Sequence, residues 1–357
     1  MASISRFILK RLGIHASPLD QFHENHRNQV HKLLIGLEPT RGKLSSKVIK
    51  QCDDYAHEIL GDKIYAPWLY LYSAIAGKFK EGWIPDNYYP KVVVPAIQGN
   101  YRSLSILKAL YHQLFQEKNP LDLIFHVTGL FLDSNLQVIE KDRVKDILFS
   151  ENDSAIYKIE RSGRGLGIYW FHKDTFDINK IEGLQDGVFQ SPIKQHPFFS
   201  EFTPSSVVTL RLTTVIEDSG KCSLRSSRLK IGRAQDDYIK ADNYLAVFYN
   251  PENGLLDDVC YFPDWTTSDK HPDTHIPFAG KAVPHFDKCA DTVIELHKKI
   301  PYVRCLGWDI TVDSNNQVQV IEWNAGHNGI NLSEAVHGPC FADMGWETLW
   351  KNQRISH

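Results

Sequence analysis

Two alternating segments near the C-terminus, Leu306-Gly-Trp-Asp-Ile-Thr-Val312 and Gln317-Val-Gln-Val-Ile-Glu-Trp323, are joined by Asp313-Ser-Asn-Asn316. Alternation on both sides of a short polar connection predicts a β-hairpin. With Asn315 and Asn316 as a two-residue loop, Asp309 stands directly opposite Glu322, and alternation puts Asn324 on the same face. Trp308, Ile310, Ile321 and Trp323 then fall on the other face, toward a core. Two opposed carboxylates repel unless solvent or a cation intervenes. A hard divalent ion such as Mg²⁺ takes carboxylate and amide oxygens and leaves positions for water and phosphate. Asp309, Glu322 and Asn324 are therefore candidate metal ligands; an exposed polar hairpin face is the other reading of the same pattern.

A second motif lies earlier in the chain. Ser154-Ala-Ile-Tyr-Lys-Ile-Glu-Arg-Ser-Gly-Arg-Gly-Leu-Gly-Ile-Tyr-Trp170 predicts strand, glycine-rich turn, strand, with Lys158 on the first strand and Gly163, Gly165 and Gly167 in the turn. Glycines let backbone N–H groups close on phosphate oxygens, and a lysine adds a point charge. The segment is neither a Walker A loop, which needs Gly-Lys-Ser/Thr, nor a dinucleotide-binding turn, which leads into a helix. An ordinary glycine hairpin with surface arginines remains the alternative.

Composition narrows the classes. A chain of 357 residues with 42% hydrophobic and 11% aromatic residues builds a substantial globular core. A net charge of −3 gives no electrostatic reason to propose nucleic acid as the main partner. The cysteines Cys52, Cys222, Cys260, Cys289, Cys305 and Cys340 lack the paired spacing of a zinc site. The first twenty or so residues contain Arg6, Lys10 and Arg11 but no continuous apolar signal region, and the strongest apolar run, residues 92–97, is too short to span a bilayer. A cytoplasmic location is expected, with room for work beside a membrane assembly.

Residues 1–95 read as a mainly helical segment, with periodic apolar positions at 20–37, 45–60 and 65–80. Beyond an aromatic, turn-rich crossing at 82–90, helices are predicted at 103–116, 141–149 and 286–299. Strands are predicted at 121–127, 137–140, 155–159, 167–171, 188–191, 207–214, 245–249, 306–312 and 317–323. The pattern is mixed α+β with antiparallel sheets, and lacks the strand–helix alternation of a doubly wound fold.

In order, the glycine-loop lysine, Arg211 on an extended segment, and Asp309, Glu322 and Asn324 resemble the ATP-grasp superfamily, and within it the sugar-transfer-associated ATP-grasp proteins. The matching phrases are Gly82-Trp-Ile-Pro-Asp-Asn-Tyr-Tyr89, Gln195-His-Pro197, Ser206-Val-Val-Thr-Leu-Arg-Leu-Thr-Thr214, Asp242-Asn243, His271-Pro-Asp-Thr274, Gly307-Trp-Asp309 and Ile321-Glu-Trp-Asn324. The resemblance implies a nucleotide clasped between two α+β subdomains, 96–190 with the glycine loop and 191–357 with the metal site, after the helical segment 1–95.

It further implies that Lys158, Gly163 and Gly165 hold ATP phosphates. A second lysine joins them, Lys108 or its rival Lys141. Gln190, Ser191 and Ile193 meet the base mostly through backbone, and Glu182 serves the nucleotide end. Arg211, set between Leu210 and Leu212, points away from its apolar neighbours and would steady a transferred phosphoryl group. Arg228 and Lys230 extend this basic wall toward substrate, and His327 is a substrate contact. The chain departs from the family in opening its glycine segment Tyr-Lys-Ile-Glu in place of Lys-Pro, and in its Asn-Ala-Gly-His loop. These departures imply an altered acceptor or a degenerate nucleotide site; retention of Lys158 and the three metal-ligand candidates favours activity.

The function implied is an ATP- and Mg²⁺-dependent carboxylate–amine ligase working through an acyl phosphate in polysaccharide or sugar-conjugate biosynthesis. Such chemistry needs no protein nucleophile, and no convincing Ser-His-Asp or Cys-His arrangement is present. A phosphotransferase acting on a hydroxyl and a non-catalytic nucleotide- or glycan-binding module are the competing readings.

Overall fold

The computed structural model describes residues 17–162, 166–240 and 242–353. They cluster into two compact units. One takes in the described residues up to Val93 together with those from Gly329 onward; the other is Val94–Asn328.

The first unit is built on helices α1 (Pro18–Arg41), α2 (Ser46–Glu58) and α3 (Ala66–Ala76). A capping box starts α1: Ser17 Oγ accepts from the Asp20 N–H at 3.1 Å, and the Asp20 carboxylate accepts from the Ser17 N–H at 3.2 Å. The Ser45 hydroxyl caps α2, accepting from the Val48 N–H at 3.3 Å. Helix α3 is apolar nearly all round, with Trp68, Leu69, Leu71 and Tyr72 each fully buried, as a helix packed on several sides must be. It contacts α1, α2 and the short helix Asn331–Val336.

The sequence grouped the last residues with the subdomain that begins at 191, and the structure corrects this. Glu334 is 0% exposed. Its Oε2 accepts from the Ile84 N–H at 2.8 Å, its Oε1 from the Cys340 N–H at 2.7 Å, and its backbone carbonyl from the Trp83 indole at 2.7 Å. These bonds satisfy backbone donors that would otherwise be buried unmade, and they tie 334–340 to the aromatic crossing at 82–84.

The second unit holds two antiparallel sheets. In the first, β1 (Asp122–Val127), β2 (Leu130–Asp133), β3 (Val138–Ile139), β4 (Ser154–Ile159), β5 (Ile168–His172) and β6 (Gly187–Gln190) run in the order β3-β2-β1-β6-β4-β5. Helix α4 (Lys141–Leu148) packs on β1, and Ile124, Phe131, Val144, Leu148, Tyr157 and Phe189 form this sheet's core.

The second sheet is larger. Its strands β7 (Thr209–Ile216), β8 (Cys222–Ile231), β9 (Leu245–Tyr249), β10 (Leu256–Tyr261), β11 (Thr267–Ser268), β12 (Cys305–Val312) and β13 (Val318–Asn324) run in the order β11-β10-β9-β8-β7-β12-β13. Helix α5 (Phe286–Lys298) buries Phe286, Cys289, Val293 and Leu296, at helical spacing, against β7, β8 and β12. Residues 103–116, predicted as one helix, are 3₁₀ turns Gly99–Ile106 and Lys108–Leu110 followed by a short helix Tyr111–Phe115. Strand β8 escaped the sequence reading because Arg225, Arg228 and Lys230 break its apolar signal. Among the described residues no helix is long and apolar enough to cross a membrane.

Glu334 gives this architecture a measurable signature. Burial pushes its carboxyl up from 4.5 to about 7, against the pull of the Ile84 and Cys340 N–H donors. Between those values the folded chain keeps a proton that the unfolded chain has released. The group's contribution to stability is thus full below its unfolded pKa and is lost as pH rises through 7. The difference in unfolding free energy between wild type and Glu334→Gln is expected to shrink by about 3 kcal/mol between roughly pH 4.5 and 8. Urea titrations across that window check this; a pH-independent difference contradicts it.

Candidate active site

The hairpin register places Asp309 opposite Glu322 and Gly307 opposite Asn324, as the alternation predicts. It arrives there by a different route. The turn has three residues rather than two: the Asp313 N–H donates to the Gln317 carbonyl at 2.9 Å, and Asn316 takes the left-handed conformation at φ 61. Asp313 Oδ1 accepts the Asn315 and Gln317 N–H groups at 2.8 and 2.9 Å and holds the turn. That extra turn residue would shift every later pair by one, but a bulge at Ile321 absorbs it, since Ile310 pairs Val320 while Asp309 pairs Glu322. Ile321, expected in the core, instead lines a cavity, and Val320 takes the core position.

Side-chain alternation in neighbouring strands extends the row. Arg211 on β7 is the register partner of Asp309, and Arg228 on β8 is the partner of Arg211. Glu322, Asp309, Arg211 and Arg228 therefore lie side by side across four strands. Arg211 grips Asp309 in a bidentate pair, Nε to Oδ1 at 2.9 Å and Nη2 to Oδ2 at 2.6 Å, while the Lys230 ammonium lies 2.8 Å from Oδ1. Asp309 is 4% exposed and Arg211 9%. Burial would raise the Asp309 pKa, but Arg211 and then Lys230 overcome it and hold the carboxyl well below its ordinary range. Burial lowers the Lys230 and Arg228 pKa values; Arg211 adds to this in both, while Tyr244 opposes it at Arg228.

Gly307 makes the arrangement possible. A Cβ there would sit 2.9 Å from the Arg211 Nη1, so the guanidinium lies across a position that only glycine leaves open. Nη1 also donates to the Asn328 carbonyl at 3.3 Å.

The first sheet brings Asp122, Val188 and Gln190 to the cavity, and its Lys158 interacts electrostatically with groups that line it. Lys158 on β4 is half-buried, and its ammonium is pushed down to about 8, by burial first and by Lys108 as well, against the opposing pull of Glu322, Asp122 and Asp309. Lys108, Asp122, Gln190 and Glu322 line the cavity together with Ser105, Tyr111 and Asn119. Two of the groups involved were not read from sequence. Asp122 on β1 accepts from Gln190 Nε2 at 2.6 Å, and burial lifts its carboxyl to about 6. Glu160 accepts from the Lys108 backbone N–H at 2.8 Å. Its spacing of two from Lys158, just past the end of β4, was the available signal.

Other expected residues separate. Lys141 forms an ion pair with Glu182, and neither lines the cavity, whereas Lys108 does. The Ser191 N–H donates to the Leu121 carbonyl at 2.9 Å, consistent with a backbone-dominated segment, and Ile193 is half-buried. His327 is exposed beyond β13. Gly163 and Gly165 lie outside the described residues. Asn324 Nδ2 donates to Glu322 Oε1 at 3.2 Å, so Asn324 and Glu322 are adjacent as predicted. Among the described residues no group of three His, Cys, Asp or Glu side chains is placed to hold a metal ion; the Asp309, Glu322 and Asn324 set supplies two carboxylates and an amide.

Residues 179–344 match the family model described as sugar-transfer associated ATP-grasp, which the chain resembles. That span takes in β7, β8, β12 and β13, and with them Arg211 to Asn324, but neither Lys108 nor Lys158. No match is found among curated proteins. Similar solved structures include the ATP-grasp ligase PsnB complexed with minimal precursor, at 12% identity and TM-score 0.41, covering 79% of this chain and 68% of that one. Biotin carboxylase from Campylobacter jejuni is similar at 14% identity and TM-score 0.44, over 74% of this chain and 51% of that one. D-alanyl-alanine synthetase A from Vibrio cholerae is similar at 14% identity and TM-score 0.41, over 71% of this chain and 67% of that one. The chain thus spans about half the length of that biotin carboxylase. Likeness at these scores says nothing about chemistry.

Two measurements probe the site directly. Asp309→Ala leaves Arg211 and Lys230 buried without their carboxylate and is expected to cost about 3–5 kcal/mol, while half-buried Glu322→Gln costs under about 1 kcal/mol. Denaturant titration separates them, and equal losses contradict the pairing. At pH 8 about half of Lys158 is neutral amine, against well under ~1% of an ordinary lysine. An amine-selective reagent read by peptide mass spectrometry should therefore modify Lys158 ahead of exposed lysines; equal rates count against the lowered pKa.

Proposed function

We propose that this chain, through the ATP-grasp family its residues 179–344 match, is an ATP- and Mg²⁺-dependent carboxylate–amine ligase. The observation that carries the reading is one cavity lined by Lys108 from its 3₁₀ turn and by Glu322, opposite Asp309, from the larger sheet, with Lys158 of the first sheet interacting electrostatically with both. Lysines that lie close together repel, and an anionic ligand such as a polyphosphate relieves that repulsion.

The carboxyl groups support a metal on the same argument. Asp309 and Glu322 stand opposite each other across β12 and β13, and since Arg211 and Lys230 already pair with Asp309, a further cation there is drawn chiefly by the Glu322 carboxylate. Asp309, Glu322 and the Asn324 amide oxygen fit a Mg²⁺ ion whose remaining positions are filled by water and phosphate. Once bound, such an ion neutralises charge on the transferring phosphoryl group.

The side chains divide the remaining work. Lys158 and Lys108 hold phosphate oxygens, with Gly163 and Gly165 in the covering turn. Gln190, Ser191 and Ile193 border the base. Arg211, held rigid by Asp309 and the Asn328 carbonyl, presents fixed positive charge where the phosphoryl group passes to the substrate carboxylate. Arg228 and Lys230 continue that charge toward the substrate. The carboxylate oxygen takes the γ-phosphoryl group, ADP leaves, and an amine displaces phosphate to form the amide. The sugar-transfer association of the matched family supports a sugar acid or amino acid as the carboxylate. It also supports a cytoplasmic role beside polysaccharide-synthesis machinery.

Calorimetry with Mg-ATP is the primary test. Binding is expected to weaken at least about tenfold when Mg²⁺ is chelated, and Glu322→Gln is expected to remove that dependence. A carboxylate–amine pair should then release ADP and yield an amide by mass spectrometry. Absence of nucleotide binding, or a stable phosphorylated sugar in place of an amide, overturns the ligase reading.

A further inference from the structure

Lys108 and Lys158 are fifty residues apart in sequence, yet a single carboxylate joins the segments that carry them. Glu160 lies two residues beyond Lys158, where β4 runs into the glycine turn. Its backbone N–H donates to the Asp186 carbonyl at 2.7 Å, which fixes that end of the strand against the start of β6. Its Oε1 accepts from the Lys108 N–H at 2.8 Å, and the Ala109 N–H is directed to the same carboxylate. These two donors open the 3₁₀ turn Lys108–Leu110, and as its first N–H groups they have no acceptor within it. Next to them the Ile159 N–H donates to the Gly167 carbonyl at 2.9 Å and closes the base of the glycine turn.

We propose that Glu160 is the positioning residue that sets Lys108 against Lys158, clamping the start of the Lys108 turn to the end of the Lys158 strand so that both ammonium groups meet one phosphate chain. The inference rests on the nucleotide reading above. Glu160 makes no contact with nucleotide in this role. It acts through the backbone, and what it needs is an acceptor oxygen more than a charge. The base of the glycine turn and the Lys108 turn consequently move as one piece.

A double-mutant cycle tests this with Mg-AMPPNP as the probe in calorimetry, and thermal unfolding reports on folding. Lys108→Met is expected to weaken binding about tenfold, the loss of one charge-assisted contact. Glu160→Ala is expected to weaken it by a similar factor, and the double variant no further, because both changes remove the same contact. Glu160→Gln keeps an acceptor oxygen for the N–H groups and is expected to bind like wild type. Additive losses in the double variant overturn the proposal, and so does Glu160→Gln binding as weakly as Glu160→Ala. Wild-type chain that fails to bind Mg-AMPPNP overturns the nucleotide reading itself, a result distinct from either. If Glu160→Ala melts early, the Glu160→Gln comparison still decides.

Discussion

The bidentate pair of Arg211 and Asp309 is the contact on which the larger sheet's functional face depends. It joins β7 to β12 by side chains as well as by the backbone ladder, it is almost wholly withdrawn from solvent, and Lys230 closes it from a third side. A carboxylate held in this way stays ionised and stays where it is. Gly307 clears the space for the guanidinium and the Asn328 carbonyl limits its swing, so a strand position without a side chain fixes the direction of its neighbour's charge. Removing one partner would leave charge stranded in a medium that solvates it poorly, which makes this polar group a structural commitment.

That commitment changes the meaning of the acidic hairpin. Taken alone, Asp309, Glu322 and Asn324 look like three equivalent oxygen donors. In the folded chain they are unequal: Asp309 already neutralises two cations, whereas Glu322 is half-buried beside the cavity and touches Asn324. Glu322 is thereby the less constrained of the two carboxylates, and Asp309 the residue that orients the basic wall. The first sheet contributes Lys158 and Asp122, the larger sheet Asp309 and Glu322, and a 3₁₀ turn Lys108; Asp122 is an anion close to Lys158, while Glu160 holds the Lys108 turn through its backbone N–H.

Much of this was legible in the primary structure because it rests on periodicity. Period-two alternation is enough to put Asp309, Glu322 and Asn324 on one side, to turn Arg211 away from Leu210 and Leu212, and to make Lys158 face opposite Tyr157. Where charged residues broke an apolar run, as along β8, alternation was masked and the strand went unread. The hairpin register came out right because two departures from the simplest geometry cancel, an added residue in the turn and an added residue at Ile321.

By itself the sequence determined the order of chemical groups along the chain and the face of the strand each occupies, since both follow from covalent order and the pleat. Only the tertiary structure decided which groups meet. It put Lys108 at the cavity and paired Lys141 with Glu182 instead, brought Asp122 close to Lys158 and Glu160 to the Lys108 turn, seated Arg211 over Gly307, and tied the final segment to the aromatic crossing through Glu334. The physical reason is that these choices are settled by long-range burial and by finding partners for desolvated charge. Neither has a period along the sequence.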